Sequence, residues 1–494
     1  MIPALLLLAC RGPLPAGDPT RPDIVLVSID SLRADHLGAY GYHRDTSPNL
    51  DKLAARGLRF EGARSASPWT LPSHMTMLTG LWPTDHHVVE DDLALAPSVP
   101  IVQESLTTAG YDTAAFVSTI YVSGGYGFAR GFASYKDYGI TERDNLSHPV
   151  RVETLVEDAL TYAKEKGKGK PLFLLVHIYD AHYPYVPPPP FDAQFDPPAT
   201  VPEMLYKSYR FFQKRPLSKK RMAQQVAQYD ESIAYVDHSL GRLVDAWTDS
   251  DRPAYFVVTA DHGEEFGERG SWGHAHTLYR EALEIPLLVA GPDVVSAVRA
   301  ERAGTIDIAA TIAAMAGVPW GHGPGVDLRG PVPERTFLAE TSRFDSARVS
   351  VQTANRRLDL DLVTGERTLF FTDVDAAEEH PRVTGPEVEP LERTLWEALG
   401  ERWVGDTGTL RTLGTFYSGG ERVGQELATP ARFGVFPADA NVYAGATDPV
   451  RGVIDAPATG PLRYEGARTA EHVTLDAKTR EQLEALGYVQ GPDE

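Results

Sequence analysis

The chain has 494 residues, 42% hydrophobic and 23% charged, an ordinary globular balance that excludes disorder, collagen and a disulfide scaffold. Its 47 Lys and Arg against 68 Asp and Glu leave a net charge of −21, which argues against a nucleic-acid partner. An anionic substrate is not excluded, because a bound metal ion reverses the sign of the local field.

The single cysteine, Cys10, allows no internal disulfide and ends the apolar run Met1–Ala9. Leu7-Leu8-Ala9-Cys10 resembles the lipobox of a bacterial lipoprotein. That implies a signal peptide over residues 1–9, a lipid on the Cys10 sulfur, and an exported protein anchored to a membrane on its periplasmic or cell-surface side. The plainer reading is a short apolar terminus that happens to contain Cys. Residues 10–22, with Gly12-Pro13-Leu14-Pro15-Ala16-Gly17, suit a flexible tether. No later run approaches the ~20 apolar residues of a spanning helix.

Three short apolar runs follow: Asp23–Ile29, Pro171–Val176 and Ala254–Thr259. None alternates with period two, so each reads as a strand buried on both faces, as in a parallel sheet. A fourth run, Ile285–Ala290, is similar and closes on Gly291-Pro292. Between the runs, Val226, Tyr229, Ile233, Val236, Leu240, Leu243 and Trp247 step by three or four and predict an amphipathic helix over Gln225–Trp247. Strands alternating with helices give a doubly wound α/β sheet flanked by helices, over residues 23–335. Asp35–Asn49, Pro184–Pro198 and Gly321–Pro333 read as surface loops. Residues 336–494 form a smaller α+β region. In it Arg348–Thr372 reads as short strands joined by turns, Arg402–Tyr464 as Gly- and Thr-rich β pieces, and Asp476–Leu486 as a terminal helix stopped by Gly487.

Polar residues sit where these runs end. Asp30 follows the first, His177 the second, with Asp180 and His182 just beyond, and Asp261-His262 the third. Ligands of open parallel sheets bind at the carboxyl ends of strands. Any one of these residues alone would be a cap or turn former; three runs ending alike are harder to dismiss. In Ser67–Gly80, Pro72 suits the first turn of a helix and Gly80 its end, with Thr70 just outside its start. There a hydroxyl faces unpaired backbone N–H groups and the positive end of the helix dipole. The plainer reading of Thr70 is an N-cap.

Asp30, the segment Thr70-Leu71-Pro72-Ser73-His74, His177 to His182 with Tyr183-Pro184-Tyr185, Asp261-His262-Gly263-Glu264-Glu265 and Trp272-Gly273-His274-Ala275-His276 resemble the sulfatase family of the alkaline phosphatase superfamily. The likeness holds in order and spacing from about Asp23 to Pro333 and is weaker in the tail. It implies an alkaline-phosphatase-like fold and an ester hydrolase. Its implied metal ligands are Asp30, Asp261 and His262, with Thr70 as both ligand and nucleophile. It implies one divalent ion, Ca²⁺ by family, while carboxylates with an imidazole also suit Mn²⁺, Zn²⁺ or Mg²⁺. His182, and His276 or His274, match positions that hold the transferred group and protonate the leaving oxygen. His74 joins them in the catalytic segment, although His74, Asp230, His86 and His177 could equally stand behind the ligands.

Three departures matter. Many sulfatases carry Cys or Ser at the nucleophile, oxidised to formylglycine, followed by x-Pro-x-Arg; here Thr70 and His74 stand there. Threonine cannot yield an aldehyde, since its β-carbon already bears a methyl. Ser31 stands where a second metal-binding Asp is usual, and the Lys and His expected within Ala114–Ser123 are absent. The expected substrate is a small-molecule, glycan or lipid ester of sulfate or phosphate. The competing readings are a phosphodiesterase or phosphoglycerol-type transferase, and a non-catalytic binding lipoprotein on the same fold.

Overall fold

Side chains such as those of Ile24, Val25, Leu26 and Val27 each gain about 1.5–3 kcal/mol when fully buried, so a run without polar alternation folds only where both faces are covered. In the computed structural model these runs are the centre of an eight-stranded sheet. Residues 21–138, 150–166, 169–195, 217–248, 252–343, 346, 348–361 and 366–382 are described, with scattered positions from 388 to 473. The sheet comprises β1 (Asp23–Ile29), β2 (Leu58–Phe60), β3 (Asp112–Val117), β4 (Ser134–Asp137), β5 (Leu172–Ile178), β6 (Ala254–Ala260), β7 (Leu287–Ala290) and β8 (Ala297–Arg299). Their order is β8-β2-β7-β6-β1-β5-β3-β4. All seven residues of β1 and of β5 are buried.

From β6 through β1, β5 and β3 to β4 the pairing is parallel, as the runs predict. The fourth run departs from that expectation: β7 is antiparallel to β6 and β2, so the sheet is mixed. Its apolar composition is the same for either direction, because both faces are covered in either case. Helices flank the sheet. The longest among the described residues, Lys219–Thr248, buries Tyr229, Ile233, Val236, Leu240, Leu243 and Trp247, the predicted stripe apart from half-buried Val226.

Beyond residue 335 the strands Phe337–Thr341, Arg348–Gln352, Arg357–Asp361 and Arg367–Phe370 form an antiparallel sheet. Val349, Val351, Leu358 and Leu360 share one buried face, which packs on Ala66, Trp82 and Ile306 of the main body. Within 402–464, short ladders join Tyr417–Ser418 to Glu421–Arg422 and Asn441–Val442 to Val450–Arg451. Cys10, the tether as far as residue 20 and the helix expected at Asp476–Leu486 lie outside the described residues. No helix among the described residues is long and apolar enough to cross a membrane.

Candidate active site

Parallel register assembles the centre. Ile29 of β1 pairs with Ile178 of β5 and with Ala260 of β6. The next residues on β1 and β6, Asp30 and Asp261, therefore emerge side by side from strands spaced about 4.8 Å apart. His262 follows Asp261. Its Nδ1 lies 2.8 Å from the Gly263 carbonyl. A carbonyl only accepts, so Nδ1 carries the proton and Nε2 presents a lone pair. That Nε2 lies 3.5 Å from Asp30 Oδ1, 3.4 Å from Asp261 Oδ2 and 3.4 Å from Thr70 Oγ1. Gly263 is required here by close approach, because a Cβ would sit 2.1 Å from the Glu281 carbonyl oxygen.

Thr70 arrives on a helix rather than beside one. The helix spans Thr70–Thr79, with Trp69 extended before it and Gly80 left-handed (φ 67) after it, as a C-cap requires. Thr70 is thus the first helical residue and not the N-cap, which corrects the sequence expectation and removes the capping explanation for its hydroxyl. Ser73 Oγ donates to the Asp261 carbonyl at 2.6 Å and fixes the helix to the end of β6. Ser31 adopts φ 59, and its amide donates to Asp261 Oδ1 at 3.2 Å while its hydroxyl donates to Asp30 Oδ1 at 3.1 Å. Where the resemblance expects an acid, this serine holds the two carboxylates in place.

Asp30, Asp261 and His262 are completely buried and Thr70 nearly so. Burial opposes ionisation of Asp30, yet neighbouring His182 and His177 hold its carboxyl below the ordinary range. Burial and the charge of Asp30 push Asp261 well above it. Burial lowers His262 to about 3, with His274 adding to the effect, so its imidazole is neutral. Asp30 Oδ2 and Asp261 Oδ2 accept no hydrogen bond. Buried polar atoms left this way cost about 1–3 kcal/mol each, more when charged, and two adjacent buried carboxylates call for a cation.

The other candidates separate. His182 donates from Nδ1 to the Tyr183 carbonyl at 2.6 Å and stacks on Tyr179, with centroids 4.3 Å apart. His274 approaches His262 at 4.3 Å and His182 at 5.0 Å between centroids, so these three imidazoles line one wall. His276 instead points both nitrogens at protein: Nδ1 donates to the His274 carbonyl at 2.7 Å and Nε2 meets Ser271 Oγ at 2.7 Å. His74 lies behind Thr70, its Nδ1 2.9 Å from the Thr70 carbonyl and its Nε2 2.9 Å from Ser28 Oγ. Burial lowers it to about 3. Buried His177 lies beside it. His86 and Asp230 are elsewhere. His86 bonds Pro72, Thr76 and Val88, while Asp230 accepts from His36, Tyr42 and Arg44 and ties that loop to the long helix.

Two residues that pack against this cluster or beside Thr70 were not picked out from sequence. Glu264 is buried, accepts from His274 Nδ1 at 2.9 Å and from Tyr185 OH at 2.8 Å, and is raised to about 7 by burial. Its place two residues past His262 was the available signal. Arg343 lies 4.4 Å over the ring of Trp69 and donates to Tyr121 OH at 2.6 Å. It sets a guanidinium against the stretch where Lys and His are absent, yet it comes from beyond residue 335, where nothing in the sequence suggested a site residue. Thr341 and Ser346 anchor its segment by donating to the carbonyls of Ala275 and His276.

A family profile described as Sulfatase matches residues 22–318, and the chain belongs to the sulfatase family, a family of ester hydrolases. An arylsulfatase of Clostridium perfringens is 25% identical over 334 residues, covering 55% of this chain and 69% of the relative. A choline-sulfatase of Rhizobium meliloti is 24% identical over 371 residues, covering 61% and 70%. Among solved structures, one with its substrate D-glucosamine-2-N,6-O-disulfate superposes with a TM-score of 0.64 at 16% identity, covering 78% of this chain and 99% of the other. The phosphonate monoester hydrolase of Agrobacterium radiobacter gives 0.62 at 18% identity, covering 77% and 95%.

Proposed function

We propose that the chain cleaves a sulfate or phosphate ester with a divalent cation at Asp30, Asp261, His262 and Thr70, through a covalent ester on Thr70. The carrying observation is the buried convergence of ligand atoms of Asp30, Asp261 and His262 within 4.8 Å of one another, with the Thr70 hydroxyl 3.4 Å from His262 Nε2 and one oxygen of each carboxylate without a hydrogen bond. That donor set fits a hard to borderline ion: Ca²⁺ by family, with Mn²⁺, Zn²⁺ or Mg²⁺ equally suited to carboxylate and imidazole. Bound there, such an ion neutralises the carboxylates, polarises the ester and acidifies the hydroxyl.

The chain's own groups divide the remaining work. Thr70 Oγ1 attacks sulfur or phosphorus from a helix N-terminus, whose amides favour an oxyanion. The proton that the Thr70 hydroxyl sheds is taken up at Nε2 of His182 or His274 and passed on to the departing oxygen, while Glu264, which accepts from His274 Nδ1, fixes that ring's tautomer. Water then breaks the Thr70 ester. A formylglycine hydrate would instead eject its ester by elimination, a route closed to threonine. Water attack on phosphorus is the more accessible path, so Thr70 favours phosphodiesters as a second reading, with transfer to an alcohol as a variant. The solved neighbours include both a protein holding a sulfated sugar and a phosphonate hydrolase, so the fold accommodates either group.

A screen of aryl sulfate, phosphomonoester, phosphodiester and phosphonate substrates tests this on metal-stripped protein with each ion restored. Turnover should appear only with added cation, with the diester at least as fast as the sulfate. No turnover of any class with any of the four ions would overturn it and leave a binding protein. The lipobox-like Leu7-Leu8-Ala9-Cys10 supports a lipid anchor at Cys10. Wild-type protein should then partition with membranes and Cys10→Ala with soluble material. A soluble wild type that retains Met1 sinks the anchor.

A further inference from the structure

Immediately behind the Thr70 centre lies a second set of donors. A ring nitrogen of His74, a ring nitrogen of His177 and a carboxylate oxygen of Asp261 lie within 4.8 Å of one another, and all three residues are completely buried. His177 is the telling member. Neither of its ring nitrogens has a hydrogen-bond partner, and Nε2 lies 3.5 Å from Asp30 Oδ2, itself unpartnered. As a mere packing histidine it would leave two polar atoms unpaired in the interior, which native structures rarely do. His74 Nδ1 lies 3.6 Å from Asp261 Oδ2, and the Thr70 carbonyl is 2.9 Å from that same nitrogen. Where the resemblance expects arginine this chain carries an imidazole at position 74, and the ring of His177 lies 4.9 Å from it.

The geometry points to a second divalent cation site formed by His74, His177 and Asp261, which together with the Thr70 centre makes a binuclear site bridged by Asp261. The inference rests on the first cation proposed above. Two imidazoles and a carboxylate select borderline ions, Zn²⁺ or Mn²⁺, over Ca²⁺. With Asp261 already ionised by the first cation, loading the second site requires a tautomer change in His74 and no further net proton. The proton leaves Nδ1, where it serves the Thr70 carbonyl, and Nε2 takes one to donate to Ser28 Oγ, 2.9 Å away. The freed Nδ1 lone pair and the released Thr70 carbonyl oxygen both turn to the ion. A cation there also anchors the main chain of the nucleophile, because that carbonyl belongs to residue 70.

The test counts ions on the full-length, metal-stripped protein loaded with Mn²⁺ alone and desalted. Wild type should retain two ions per chain, and at the about 3.5–4 Å separation of two-metal sites their electron paramagnetic resonance should be that of a coupled pair. His177→Gln should retain one, with the spectrum of an isolated ion. One isolated ion in wild type overturns the second site and leaves the first standing; no ion in wild type overturns both. Two coupled ions in both proteins overturn the assignment to His177. The wild-type count decides even where the variant does not fold.

Discussion

Thr70→Ala should lose turnover by about 10³-fold or more, the scale of other nucleophile deletions, because only binding and electrostatic terms remain. Thr70→Ser keeps the hydroxyl on the same helical residue and should retain measurable rate. The contrast is sharp because Thr70 contributes nothing to capping: Trp69 precedes the helix, and the Thr70 hydroxyl faces His262 Nε2 at 3.4 Å. The loss should therefore fall on kcat with little change in melting temperature. Peptide mass spectrometry should find residue 70 unmodified, and co-expression of a formylglycine-generating enzyme should leave the rate unchanged. Wild-type turnover by Thr70→Ala would place the nucleophile elsewhere.

How far the sequence carries depends on what each signal encodes. Runs such as Ile24–Val27 are legible because burial on both faces excludes alternation, and the first polar residue after each run marks a strand end. Asp30, Asp261 and His262 follow from that alone as candidates for the carboxyl ends of the strands, where the parallel register makes them neighbours. Direction is not written in composition, which is why β7 reads like its parallel neighbours and runs against them. Thr70 was placed one position too early because Pro72 is tolerated at the third helical residue as well as the first, where the amide it lacks would be unbonded in any case. Glu264, Ser28 and Arg343 act through contacts made across the fold, which no local pattern announces. His177 was visible as a strand-end histidine, but only its neighbourhood, with His74 on one side and Asp30 on the other, gives it a chemical reason to be there.

Asp261→Asn and Asp30→Ala should each abolish metal retention and turnover together. The Asn variant is the cleaner experiment, since it keeps the shape and the acceptor for the amides of Ser31 and His262. Loss of a metal-centre interaction of even the outer kind weakens affinity by about 10–100-fold, and a direct ligand should exceed that. The pH dependence carries a second signature. Without metal, burial and the charge of Asp30 keep a proton on Asp261. Uptake of an ion must expel that proton, so affinity should rise with pH by up to about tenfold per unit until Asp261 ionises unaided, then level off. The stability of the metal-free protein should move the other way. A carboxyl raised by folding stabilises while protonated, so its contribution is present at low pH and lost as pH climbs through the raised pKa. Bound metal reverses that loss, and the gap between metal-free and loaded melting temperatures should widen with pH. In Asp261→Asn the gap should vanish with the metal, and the metal-free slope should shrink to what other raised carboxyls such as Glu264 contribute. Full metal occupancy in either variant, or a wild-type affinity that ignores pH, would remove Asp261 from the ligand set and with it the bridge between the two proposed cations.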